Sequence, residues 1–172
     1  MQPGKVTRQP DGYRVEFERK LNHPIEKVWD ALTNPKVLRV WFTEIDMEFK
    51  VGGKMIIHFA DEAKSVSHGE IVTIEPPHLF EFLWEGELAR WELEAQSKAS
   101  CILKLTYSRF AEKYITGVPA GFHVILDQLE TVLDGRTEPY PLGATTEDPH
   151  QKKMEGMYRD LVNDTLPGTK LK

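Results

Sequence analysis

Six histidines, His23, His58, His68, His78, His123 and His150, are the residues best suited by type to bind a metal or move a proton. None has the H-x-x-x-H or H-E-x-x-H spacing that turns two imidazoles toward one zinc ion from a single helix face. His58 falls out of phase with inward Ile57 and Phe59, and His123 lies beside an apolar stripe, so solvated or hydrogen-bonded roles are expected. Glu81, Glu85, Glu92 and Glu94 could gather where two strands pair. A general acid/base couple among them would need one carboxyl buried with a raised pKa. Cys101 sits in an apolar strand, where burial raises a thiol pKa and blunts its reactivity. There is no G-x-S-x-G elbow, and Gly52-Gly53-Lys54 lacks the P-loop pattern and is explained by a hairpin. No catalytic residue, metal or cofactor is therefore expected. Enzyme chemistry stays open only if His58, Glu85, Glu92 or His123 faces a cavity.

The aromatic and large aliphatic residues form a richer set. Trp41, Phe49, Phe59, Phe82, Trp84, Trp91, Leu105, Phe122, Ile125 and Leu126 fall at positions that the local patterns turn inward, and are candidates to line a ligand cavity. Sites of that kind are walled mainly by apolar and aromatic side chains. Plain core filling is the competing use for each of them.

These side chains need elements to hold them. Phe122, Ile125, Leu126, Leu129, Val132 and Leu133 recur at i, i+3, i+4, i+7, i+10 and i+11, one stripe of an α-helix. Thr116 can cap this helix, Pro119 suits its first turn, and Gly135 can end it. Upstream, Tyr13, Val15 and Phe17 alternate with charged residues as in a half-buried strand. Pro24 then opens a helix carrying Ile25, Val28, Trp29 and Leu32, with Asn22 or His23 as cap, and a second short helix is expected over 36–42. Strands follow through Ile45, Met47, Phe49 and Val51, then Met55, Ile57 and Phe59. Others cover 69–75, Phe80–Phe82–Trp84, 90–94 and Cys101–Leu103–Leu105–Tyr107. Residues before 12 read as a frayed lead-in. Short β-to-β spacing favours an antiparallel meander of about seven strands. The expected fold is α+β, a curved sheet around a long helix with two short helices after the first strand.

Residues 12–135 read as one domain and 136–172 as a C-terminal extension, with 136–147 a linker rich in Pro, Gly and Thr. A helix over 149–163 would place Met154, Met157, Tyr158, Leu161 and Val162 on one face. That face must be covered by its own domain, a protein partner or a second copy. With 22 basic against 27 acidic residues, a net charge of −5 and no basic stripe, nucleic-acid binding has no electrostatic support. No apolar run approaches the roughly 18 residues of a membrane span. Residues 1–20 show no signal or transit pattern, which with a lone cysteine leads us to expect a cytoplasmic protein.

The segment 17–42, with Pro24, Val28-Trp29, Ala31-Leu32-Thr33, Pro35 and Trp41-Phe42, resembles the opening of the family named after the activator of heat-shock ATPase. That family belongs to the SRPBCC superfamily of START-like helix-grip folds. Val51-Gly52-Gly53, the 69–77 run GEIVTIEPP and the 121–135 helix continue the resemblance in the family's order over about residues 14–135. Phe122 replaces a usual tryptophan, and Tyr107 stands where a histidine is common. The resemblance implies a helix-grip fold and a cavity for a small hydrophobic molecule. The co-chaperones behind the family name imply, alternatively, a protein-interaction module with a role in stress response, and related cyclases imply an enzyme using the same cavity.

Overall fold

Alternating apolar residues build eight strands: β1 (Lys5–Gln9), β2 (Gly12–Leu21), β3 (Ile45–Met47), β4 (Lys54–His58), β5 (Val66–Glu75), β6 (Leu79–Trp84), β7 (Glu87–Ser97) and β8 (Ser100–Phe110). In this computed structural model, which describes residues 2–136 and 148–172, they form one antiparallel sheet in the order β1-β2-β8-β7-β6-β5-β4-β3. Four α-helices accompany it: α1 (Ile25–Thr33), α2 (Pro35–Trp41), α3 (Gly117–Leu133) and α4 (Pro149–Thr165). The α+β class and the long helix against a curved antiparallel sheet are as expected. The strand number is eight, because residues 5–9, read as frayed, pair with β2 from Lys5↔Glu16 to Gln9↔Gly12.

The pleat sorts the side chains. On β2, Tyr13, Val15, Phe17 and Leu21 are buried, and so is Arg19, which shares their parity. On β7 the inward set is Ala89, Trp91 and Leu93; on β8 it is Cys101, Leu103, Leu105 and Tyr107. Helix α3 lays Phe122, Ile125, Leu126, Leu129 and Leu133 on this surface, and Gly135 follows in the left-handed region (φ 71°) that an L side chain disfavours. Two expected caps are absent: the Thr116 side chain makes no capping bond, and α1 starts after Pro24 without a side-chain cap from Asn22 or His23.

Strand β3 is shorter than expected. It stops at Met47, so the alternation does not reach Phe49 and Val51, which are exposed in the loop before β4. Helix α4 is capped by Asp148, whose carboxylate accepts from the His150 N–H at 2.9 Å. It buries Met154, Tyr158 and Val162 in the same apolar core as α3. All but Arg136 of the expected linker lies outside the described residues. Among the described residues no helix is long and apolar enough to cross a membrane.

Candidate functional site

The turn between β6 and β7 is Glu85-Gly86, with φ of 49° and 83°. Two successive positive φ values give the hairpin turn whose twist matches that of its strands. It sets Trp84 directly opposite Glu87, so both side chains stand on the inner face. Two residues on, Ala89 pairs with Tyr107 of β8, which brings the phenol onto that face as well. The Tyr107 hydroxyl donates to Glu87 Oε2 at 2.5 Å.

The opposite wall comes from a short 3-10 turn, Glu112–Tyr114, and the first turns of α3. Tyr114, Gly117, Val118, Gly121, Phe122 and Ile125 face Phe59, Trp84, Glu85, Glu87 and Tyr107 across an open pocket of about 450 Å³. That lies within the usual range for small-molecule sites. Tyr107 and Phe122 touch, with ring centroids 4.4 Å apart, while Trp84 stands at 80° to one and 87° to the other. The Trp84 indole N–H is spent on Ser67 Oγ at 2.6 Å.

The half-buried Glu87 carboxyl has its pKa raised, because burial outweighs the opposing hydrogen bond from Tyr107. Burial first, and Glu87 second, push the Tyr107 phenol far above its ordinary value, so it stays a neutral donor. Among the described residues neither Glu85 nor Glu87 forms an ion pair with a Lys, Arg or His side chain.

Of the cavity residues expected from the sequence, Phe59, Trp84, Phe122 and Ile125 meet at this pocket. Trp41, Phe82 and Trp91 instead surround a void of about 10 Å³, too small for any ligand. Leu105 and Leu126 are fully buried and line neither space. Phe49 lines neither space: it is 46% exposed and lies beside Phe80, with centroids 5.9 Å apart. Among the four polar candidates only Glu85 lines the pocket. His58 pairs with Asp46 at 2.8 Å, and Glu92 and Glu81 both bind Arg90, at 3.0 and 2.9 Å. Glu94 is exposed.

His123 is buried toward α4, with Nδ1 2.9 Å from the Tyr158 hydroxyl, and burial holds its pKa below the ordinary value. Burial likewise raises the Cys101 thiol. Among the described residues no cluster of three or more His, Cys, Asp or Glu side chains is placed to hold a metal.

Sequence reasoning did not single out Glu87, Tyr107, Tyr114, Gly117, Val118 and Gly121 as lining residues. Two signals were available. Tyr107 continues the inward parity of Leu105, and Gly117 with Gly121 leaves one helix face bare at i, i+4 spacing.

The architecture recurs widely. The chain is similar in fold to a conserved protein of unknown function, EF2215, from Enterococcus faecalis (TM-score 0.77, 16% identity, covering 94% of this chain and 91% of that one). It is also similar to CalU16 from Micromonospora echinospora (0.70, 18%, 94% and 99%) and to the AHSA1-like protein from Aeromonas hydrophila (0.62, 19%, 71% and 92%). No curated protein matches it. The sequence profile described as Activator of Hsp90 ATPase homolog 1-like protein matches residues 22–134, well over half of the 172. The chain belongs to that family, within the SRPBCC helix-grip fold on which the strands and helices above converge.

Proposed function

We propose that the protein binds a small, largely apolar molecule, without transforming it, in the pocket between the β6–β7 turn and α3. The observation that carries this reading is the uneven interior. Around Trp41 and Trp91 the core closes to a void of about 10 Å³, whereas around Trp84 and Phe122 some 450 Å³ stays open and aromatic. Leaving large rings half-covered forgoes roughly 25 cal/mol for each Å² of apolar surface left in water, and a ligand would recover part of it. The fold commonly serves hydrophobic ligands, which fits. The polar groups favour binding over chemistry: the Tyr107 proton is committed to Glu87, and a phenol with a strongly raised pKa is a poor proton donor at neutral pH.

The protein-interaction reading through the C-terminal helix has less support, because Met154, Tyr158 and Val162 are already covered by the same chain. A thermal-shift and native mass-spectrometry screen with neutral aromatics, sterols and fatty alcohols tests the binding reading. We expect one or more to raise Tm and to give a one-to-one complex. Absence of any stabilising compound across the panel, with the protein folded, overturns it.

A further inference from the structure

The pocket's polar inventory is lopsided. Its donors are largely spent: the Trp84 N–H goes to Ser67 and the Tyr107 O–H to Glu87. What remains is a set of aromatic rings, the single hydroxyl of Tyr114, the Glu87 carboxyl, and at the exposed rim Glu85, whose Oε1 already accepts from the His68 N–H at 2.7 Å. Among the described residues no lysine, arginine or histidine lines the space. Lys113 sits 4.8 Å from the centroid of the Tyr114 ring but does not line the cavity. The opposing feature is the start of α3, where Gly117 and Val118 form part of the wall. A helix N-terminus carries about half a positive charge, against the two acidic side chains of Glu85 and Glu87. The balance favours a cation.

Resting on the binding reading above, we infer that the guest is an amphipathic organic ammonium ion, its apolar body among Trp84, Tyr107 and Phe122 and its charged head toward Glu85 and Glu87. Two physical terms act together. Aromatic rings attract a cation through the negative potential of their faces, most strongly where water is excluded. A half-buried carboxylate without a protein counter-ion is poorly solvated, and an incoming cation supplies the missing charge. A methylated ammonium head suits such a site because it is less costly to desolvate than a primary amine, and the pocket still has room for a fused ring system.

The test uses three probes that share one apolar body: (1-naphthylmethyl)trimethylammonium, 1-naphthalenemethanol and 1-naphthylacetate, titrated calorimetrically into the full chain at neutral pH. The cation should bind at least tenfold more tightly than the alcohol, and the anion most weakly. In the Glu85→Gln/Glu87→Gln double variant, whose folding is checked by its melting transition, the cation's advantage over the alcohol should fall to within about twofold. If the double variant does not fold, the ranking in the unaltered chain decides alone. Equal or tighter binding of the alcohol or the anion overturns the ammonium inference and leaves apolar binding standing. Binding of none of the three overturns it too, and apolar binding then falls only if the neutral panel also fails.

Discussion

Glu87 shows how one turn sets the chemistry of a side chain. The Glu85-Gly86 turn fixes it opposite Trp84, and the pleat then points it into the half-dry space beneath Tyr107. Because burial raises its folded-state pKa above the unfolded value, folding favours the protonated form. Its contribution to stability is therefore fully present below the ordinary glutamate range and is lost as pH rises through the raised value. Glu87→Gln keeps the shape, and its side-chain oxygen can still accept from Tyr107. We expect the variant to have a higher Tm than the unaltered protein at pH 7 and no advantage at pH 4. Melting curves at both values read this directly, and an equal Tm difference at both would show that burial of the charge is not the cause.

Between elements, one hydroxyl adds a polar link to the apolar docking of α4. Tyr158 is fully buried; its oxygen accepts from the Gly4 N–H at 2.7 Å and lies 2.9 Å from His123 Nδ1, joining the N-terminus, α3 and α4. Tyr158→Phe strands the buried Gly4 N–H and should cost about 1–3 kcal/mol, read as a lower urea midpoint with an unchanged m-value. This contact also marks what was legible in the chain. Helix α4 itself was readable, because an Asp-Pro start and an apolar stripe are local properties of the sequence. Its partner was not: residues 4, 123 and 158 come together only through the fold, and no spacing announces them. Strand β1 escaped notice for a related reason. Val6 is its only buried side chain, so an edge strand paired through its backbone leaves almost no hydrophobic period to read. At Phe49 the opposite happened: a good alternating pattern ran on past the point where the strand ends.

Across the whole molecule, the inner face of the sheet does two jobs at its two ends. Sequence patterning marks every residue on that face as inward but carries no measure of how tightly the facing surface fits, so Trp91 and Trp84 read alike. The three-dimensional difference lies in what stands opposite. Trp91 meets Trp41 at 6.0 Å within a closed cluster, whereas the rings around Trp84 face the bare backbone of Gly117 and Gly121. The two ends should then respond oppositely to substitution. Trp91→Ala empties a packed site and should cost about 3–5 kcal/mol. Gly121→Leu adds a Cβ that meets no atom within 4 Å beyond its chain neighbours and its own helix backbone, and replaces a flexible residue within a helix. That replacement should leave stability unchanged or raise it by about 0.5–1 kcal/mol, while the new side chain occupies the pocket. Denaturant titration combined with the ligand screen separates the two effects. Trp91→Ala, measured where it remains folded, should keep the ligand-induced shift in Tm, and Gly121→Leu should abolish it at full stability. A Gly121→Leu protein that still binds every ligand of the unaltered chain would place the binding surface elsewhere on the molecule.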